Sequence, residues 1–253
     1  MSAALVLPAR LSVLGKVRVA VRFSCMAALL LACVPLHTIA RLLHLPNPWA
    51  RVFLGGVAWI AGAEITYRGT RATGGVFLIA NHVSWLDIPA LAAASGSAFV
   101  GHDGLASMPL LEWLCRMNRT VFIARHDRSS VAQQVEAVRS ALDASGALTI
   151  FPEGTTSDGT GLLAFKSSLL SAFEPLPAGI AVQPVLLDYR PEAAQIAWIG
   201  EEPGLENFVR ILARARPLQI TIHYLPVLGG AALTNRKTIA AAARLAIGGA
   251  LAA

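Results

Sequence analysis

Residues 76–87 read VFLIANHVSWLD, an unbroken apolar run that is followed at once by polar side chains. The run Val76–Ala80 lies between Gly75 and Asn81, and this pattern is typical of a short strand buried on both faces. In open α/β sheets, ligands bind outside the carboxyl ends of the strands. The stretch therefore predicts an α/β fold, and it places the site where His82 and Asp87 follow the strand.

Outward from this strand, apolar β runs alternate with segments of helical spacing. This alternation predicts a mixed, largely parallel sheet flanked by helices. Pro184 cannot donate to a strand ladder, so it predicts an edge or a bulge. The other predicted strands are 120–124, 147–151, 180–187, 195–199 and 219–225, the last at an edge because it alternates, and the predicted helices are 129–145, 205–215 and 234–252.

The first 62 residues have a different character. The chain is 55% hydrophobic and 14% charged, whereas soluble domains carry about 25% charged residues. Phe23–Ala40 is an uncharged run of 18 residues, and a shorter apolar run covers 52–63. We expect a membrane-associating helical segment over 1–62 and an α/β domain that carries the site over 63–253. The segment either dips into the bilayer as a helix–turn–helix or forms one span with an interfacial helix; a cleaved signal peptide is the alternative.

Charge is concentrated in the same segment. Six cations and no acidic residue precede Glu64, and the remaining 15 cations balance the 15 acidic residues. A cationic, apolar leader indicates contact with anionic membrane lipids rather than with nucleic acid. It also predicts that the first residues stay cytoplasmic. The three cysteines form no disulfide framework.

His82 and Asp87 are the candidate catalytic residues. A histidine can act as general base near neutral pH, and a carboxylate can fix its tautomer and stabilise the imidazolium that forms. The chain has no Gly-x-Ser-x-Gly motif that would supply a nucleophile, so the pair suggests that a substrate hydroxyl attacks. The structural alternative is a helix cap, built either by Ser84 with Asp87 or by Asp87 alone.

Further polar residues follow two other predicted strands. Arg125 ends the strand 120–124 and suits an anionic headgroup, although a solvated cation has the same pattern. Phe151–Thr155 reads FPEGT: Gly154 permits close approach of a ligand, Thr155 could hold phosphate or hydroxyl oxygens, and Glu153 either orients the acceptor or orders the loop. Lys166 adds a cation that could reach phosphates. An ordinary turn is the alternative for this segment.

Together these motifs resemble the glycerolipid acyltransferases, whose best-known members are the lysophosphatidic acid acyltransferases. The resemblance covers about residues 64–190. It implies that the His-x4-Asp pair is catalytic, and that the arginine and the Glu-Gly-Thr segment bind the phosphate and glycerol of the acceptor. The matching motifs are His82-x4-Asp87, Phe-Ile-x-Arg ending at Arg125, Phe151–Thr155 and Val182-x-Pro-Val185.

Two departures weaken the inference about the acceptor. Asn118-Arg119 stand where the family commonly has a glycine, and Lys166-Ser167-Ser168 stand where many members have Lys-x-Gly. The resemblance implies acyl transfer from acyl-CoA or acyl carrier protein, as co-substrate, to a lysophospholipid hydroxyl. The expected acceptor is 1-acylglycerol 3-phosphate, with lyso-ornithine lipid as the alternative. A non-catalytic membrane binding protein is the alternative of another class.

The expected enzyme needs no metal and no further cofactor. Both acyl donors are cytosolic, so we expect the catalytic domain to face the cytoplasm from the membrane, which would be the inner or plasma membrane in a bacterium.

Overall fold

The computed structural model describes residues 11–102, 109–123, 131–177 and 179–253. The strands are β1 (Ala63–Arg68), β2 (Val76–Ala80), β3 (Ala98–His102), β4 (Val121–Ile123), β5 (Ala147–Ile150), β6 (Ala181–Asp188) and β7 (Leu218–Tyr224). The α-helices are α1 (Val13–Leu42), α2 (Trp49–Ala61), α3 (Asp87–Ser95), α4 (Pro109–Met117), α5 (Val131–Ser145), α6 (Ala193–Ile196), α7 (Gly204–Leu212) and α8 (Arg236–Ala252). Short 3₁₀ helices cover Ser167–Phe173 and Gly230–Leu233.

The described strands form one seven-stranded sheet in the order β1-β7-β6-β2-β5-β3-β4. Neighbouring strands are parallel except β6 and β7, which are antiparallel. The prediction of a mixed, largely parallel sheet is thus confirmed. β2 lies in the middle of the sheet between β5 and β6, so His82 emerges at its carboxyl edge.

A hydrophobic core lies on each face of the sheet. Val76, Leu78 and Ala80 of β2 face one core, which α2, α3 and α7 cover. Phe77 and Ile79 face the other, which α5 and α8 cover. Each fully buried aliphatic side chain of this kind contributes roughly 1.5–3 kcal/mol. Because both faces of β2 are packed against a core, the position of the turn that follows β2 is restrained.

The described part of the N-terminal segment, residues 11–62, forms two helices, and both are attached to the sheet domain. α1 has 30 residues and is long and apolar enough to cross a membrane, by length and composition. Arg22 on α1 donates to the carbonyls of Leu212 and Arg214 at the end of α7. Arg51 on α2 donates to the carbonyl of Ala93 near the end of α3. Cationic groups at helix carboxyl ends are favourable, so these bonds stabilise the docked arrangement.

Two strand predictions are wrong. Residues 195–199 were predicted as a strand, but α6 ends at Ile196, which is fully buried, and residues 197–199 form no strand. A short buried apolar run does not distinguish a strand from a helix segment. Residues 219–225 were predicted at an edge, but β1 pairs with β7 from outside along Ala63–Arg68. β1 escaped prediction because most of its side chains are exposed and polar.

Pro184 was expected at an edge or bulge, and this is also wrong. It lies within β6, paired with Ile79 of β2 on one side. Its carbonyl accepts the N–H of Leu225 on the other side. The missing N–H would have faced the carbonyl of Leu225, which instead accepts a bond from the Gln183 side chain, Nε2 to O 2.9 Å. A side-chain amide therefore replaces the donor that proline lacks, so the strand can lie inside the sheet.

Candidate active site

His82 and Asp87 meet at the carboxyl end of β2. His82 Nδ1 lies 2.7 Å from Asp87 Oδ2, and the Asp87 side chain is fully buried. The separation of five residues works because the chain turns between β2 and α3, and Asp87 is the first residue of α3. Since a charged carboxylate can only accept, Nδ1 carries the hydrogen in this pair. The lone pair of Nε2 is then available to take up a proton.

The Asp87 carboxylate is held by four donors. Oδ2 accepts from His82 Nδ1 and from the backbone N–H groups of Val83 (2.7 Å) and Ser84 (2.9 Å). Oδ1 accepts a hydrogen bond from the hydroxyl of Tyr189. Asp87 therefore reaches back to the turn before its helix, as in half of a capping box. The structural interpretation does not exclude the catalytic one, because the same carboxylate contacts both the turn and the imidazole; the catalytic role stays a prediction.

The imidazole ring is fixed on a second side by stacking. The rings of His82 and Phe151 lie 4.2 Å apart with an interplanar angle of 16°. The His82 side chain is 18% exposed. The hydrogen bond at Nδ1 and the stacking on one face restrict rotation of the ring, while part of the ring stays accessible to solvent. This is the arrangement that a positioned general base requires.

Glu153 is buried beneath the site and supports the histidine backbone. Its side chain accepts the N–H of His82 at Oε1 and the N–H of Leu163 at Oε2, both at 3.0 Å. The residue is 1% exposed. Burial raises the pKa of this carboxyl, and the two backbone hydrogen bonds oppose the shift. Of the two predicted roles, these contacts favour ordering the loop, and binding of the acceptor stays a prediction.

Residues 151–163, called the cover loop below, close against the turn that carries His82. Ser157 donates to the carbonyl of His82 through its N–H (2.7 Å) and its hydroxyl (3.1 Å). Gly159 has a left-handed φ of +74°, and an added Cβ would lie 2.9 Å from Ala193 Cβ and 3.2 Å from Val83 Cγ1. Any larger residue at 159 would push the loop away, so glycine permits this close contact.

The other end of the cover loop is attached to α8. Arg244 donates to the carbonyls of Leu162 and Leu163 at 3.2 and 3.1 Å. Because the N–H of Leu163 binds Glu153, and Glu153 binds the N–H of His82, a series of hydrogen bonds connects α8 with the turn that carries His82.

The residues predicted to bind substrate have different outcomes. Arg125 lies outside the described residues. Gly154 has a left-handed φ of +71°, so the turn itself requires glycine there. Thr155 and Lys166 are exposed on the surface, and the Lys166 N–H donates to the carbonyl of Pro152. Substrate binding by these residues stays a prediction.

Arg119, one of the two departures from the family pattern, has a left-handed φ of +57°. This conformation favours glycine, and this chain adopts it with an arginine. In this chain the arginine also donates to the carbonyl of Ala144 near the end of α5.

Sequence reasoning missed Tyr189, Phe151 as a stacking partner and Arg244. A signal existed for Tyr189, since it directly follows β6, and residues at the carboxyl ends of neighbouring parallel strands converge. Arg244 lies 162 positions beyond His82 on the last helix, and no local pattern connects the two residues.

The chain is similar to known proteins both in sequence and in fold. The model of the Acyltransferase family matches residues 64–188. A lyso-ornithine lipid O-acyltransferase of Rhodobacter capsulatus is 32% identical, with 92% of this chain and 90% of that protein covered. A 1-acyl-sn-glycerol-3-phosphate acyltransferase of Neisseria gonorrhoeae is 36% identical, with 53% and 52% covered. The crystal structure of the 1-acyl-sn-glycerophosphate (LPA) acyltransferase PlsC from Thermotoga maritima matches with a TM-score of 0.66 at 17% identity, with 94% and 96% covered, and so shares the fold.

The match to the Rhodobacter capsulatus protein extends over nearly the whole of both chains, and the family match encloses the strands and turns that build the site. The resemblance inferred from the four motifs is therefore confirmed. The chain belongs to the glycerolipid acyltransferase family and is an acyltransferase.

Proposed function

We propose that this protein transfers a fatty acyl group from a thioester donor to the free hydroxyl of a lysolipid, with His82 as the base. The observation that carries the proposal is the 2.7 Å contact between His82 Nδ1 and the buried carboxylate of Asp87. It leaves Nε2 of this partly exposed ring as the nitrogen that can take up a proton. The donor is acyl-CoA or acyl carrier protein, acting as co-substrate.

In this mechanism, the lysolipid hydroxyl loses its proton to His82 Nε2 as its oxygen attacks the thioester carbonyl. Asp87 stabilises the imidazolium through its charge. The tetrahedral intermediate then collapses to the ester, and the thiolate leaves with the proton that His82 returns. A general base of this kind contributes about 10²–10⁴-fold in rate. Positioning of the two substrates supplies much of the remainder.

For the acceptor, we propose lyso-ornithine lipid first and 1-acylglycerol 3-phosphate second. The Rhodobacter capsulatus relative, which is named for the first acceptor, aligns with nearly the whole chain. The Neisseria gonorrhoeae relative, named for the second, aligns with about half of it. The departures at Asn118-Arg119 and Lys166–Ser168 agree with an acceptor that differs from the phosphate-bearing one. The order of preference from the sequence alone is thus reversed.

We further propose that the protein is bound to the membrane through α1 and α2, with the catalytic domain on the cytoplasmic side. Large apolar side chains are exposed along α1, including Leu31 and Leu42. The bonds made by Arg22 and Arg51 attach these helices to the domain that carries the site. A domain held at the interface meets the lysolipid and the acyl product where they reside.

Incubation of the purified protein with labelled acyl-CoA or acyl carrier protein tests this proposal. The lysolipids are presented in vesicles, with one phosphate-bearing and one phosphate-free acceptor assayed side by side. We expect faster transfer to lyso-ornithine lipid than to 1-acylglycerol 3-phosphate. The reverse order would overturn the acceptor assignment, and absence of transfer to any lysolipid from either donor would favour a non-catalytic binding protein.

A further inference from the structure

Asp87 has a buried partner that the mechanism above does not use. Tyr189 directly follows β6, and its hydroxyl donates to Asp87 Oδ1, the oxygen that His82 does not contact. β6 is the neighbour of β2 in the sheet. The residue after β6 therefore arrives at the same carboxyl edge as His82. Tyr189 is 2% exposed, so water does not compete for its hydroxyl.

The phenol of Tyr189 is a permanent donor. Burial and the neighbouring charge of Asp87 raise the pKa of Tyr189 well above its ordinary value. The hydroxyl therefore stays protonated over the whole range in which an enzyme works. A protonated donor against a carboxylate forms a charge-assisted hydrogen bond, which is stronger than a neutral one. Such a bond resists rotation of the carboxylate about its Cβ–Cγ bond.

We propose that Tyr189 is a positioning residue for the His82–Asp87 pair. Its hydroxyl holds Asp87 Oδ1, so that Oδ2 stays directed at His82, and it draws part of the negative charge away from Oδ2. Tyr189 transfers no proton and contacts no substrate. The proposal rests on the proposed function, in which His82 is the base.

Among the described residues, three titratable groups face Asp87 from the elements packed around it. His82 belongs to the turn after β2, and Tyr189 follows β6. Glu153 belongs to the cover loop and is close enough for the charges of His82 and Asp87 to act on it. Of these, only Tyr189 can be altered by removing a single oxygen while the shape of the side chain is kept.

The expected effect on the pH profile has a definite sign. Without the phenol donor, more charge stays on Asp87 Oδ2, and the protonated imidazole of His82 is stabilised more strongly. The free enzyme then needs a higher pH to release this proton, so the acidic limb of kcat/KM moves to higher pH. A ring-fluorinated tyrosine at 189 is a stronger donor, and it should move the same limb to lower pH.

The experiment compares the full-length protein with Tyr189→Phe and with the fluorinated variant in the acyl-transfer assay on vesicles. For Tyr189→Phe we expect kcat to fall about tenfold, because a hydrogen bond to a charged group is lost, while the KM for the acceptor stays within about twofold. The matched control is Tyr224→Phe on β7, which removes the same oxygen from a buried tyrosine. Among the described residues, the Tyr224 hydroxyl has no hydrogen-bond partner. This control should keep the kcat and the pH profile of the wild type.

Two results would overturn the proposal. One is a Tyr189→Phe protein with the wild-type kcat and pH profile. The other is a reduced kcat with an unmoved acidic limb in both variants, which would make the role purely structural. His82→Ala in the same assay separates the possible failures. An inactive His82→Ala with an unaffected Tyr189→Phe rejects Tyr189 alone, whereas an active His82→Ala rejects the proposed base and Tyr189 together.

Discussion

Glu153 offers the sharpest test of how the turn that carries His82 is held in place. Each of its two oxygens accepts one backbone N–H at 3.0 Å, from His82 and from Leu163. Glutamine keeps the shape but presents only one acceptor, so one N–H loses its partner. We expect the glutamine oxygen to keep the hydrogen bond from the N–H of His82. Leu163 is exposed, so its N–H can form a hydrogen bond with water instead. We therefore expect Glu153→Gln to retain most activity and to lower the free energy of unfolding by about 1 kcal/mol.

Alanine removes both acceptors. The N–H of His82 is then left without a partner in a partly buried turn, and the cover loop loses its attachment to that turn. We expect Glu153→Ala to lower the free energy of unfolding by about 2–4 kcal/mol and to reduce kcat more strongly than it raises the KM for the acceptor. Glu136→Gln, an exposed residue on α5, is the control and should change neither quantity.

The pH dependence of this effect follows from burial. The folded-state pKa of Glu153 is raised, so the folded protein binds this proton more tightly than the unfolded chain does. Its contribution to stability is complete below the pKa of an unfolded glutamate, and it is lost as the pH rises through the folded-state pKa. The stability advantage of the wild type over Glu153→Gln should therefore grow as the pH is lowered from neutral.

Urea unfolding at several pH values and acyl-transfer kinetics measure these quantities together. An alternative role for Glu153 is direct contact with the acceptor. In that case Glu153→Gln would raise the KM strongly and leave the unfolding midpoint unchanged. That combination would refute the reasoning.

Three further predictions concern the pair, the cover loop and the membrane segment. Asp87→Asn should fold but lose about 10³-fold in kcat, since the charge that stabilises the imidazolium is gone; a loss below tenfold would contradict this. Arg244→Ala frees the α8 end of the cover loop, so proteolysis within the loop should accelerate and kcat fall severalfold; unchanged values of both would make the contact incidental. Leu31 within α1 and Leu42 at its end are 75% and 73% exposed. Replacing both with serine should weaken vesicle binding without lowering Tm. The control is Leu205→Ser on α7, a leucine that is 73% exposed, and it should leave vesicle binding intact.

The parts of the fold that could be predicted have strong local signals. β2 and β5 are short, fully buried strands, and the periodicity of α8 is sustained over its 17 residues. β1 and α6 could not be predicted, because tertiary context decides both. β1 has a mostly exposed face and is a strand because β7 pairs with it. α6 is apolar because Ile196 is buried beside α7, and apolar character alone fits either structure.

The site shows the same division. His82, Asp87 and Glu153 lie in contiguous motifs directly after strands, so the sequence could identify them and the sheet order brings them together. Tyr189 contacts Asp87 across 102 positions of the chain. Arg244 contacts Leu163 and Leu162 across 81 and 82 positions. Arg244 forms no local pattern with His82 and becomes visible only once the docking of α8 is known, whereas the place of Tyr189 directly after β6 is the one signal that the sequence offers for it.

The measurement that tests the central claim most directly is the turnover number of folded His82→Ala with a thioester donor and a lysolipid on vesicles. Circular dichroism and the melting temperature establish that the variant is folded. If His82 removes the proton from the acceptor hydroxyl, turnover should fall by about 10²–10⁴-fold, with little change in the KM for the acceptor. A folded His82→Ala protein that turns over at close to the wild-type rate would contradict the account.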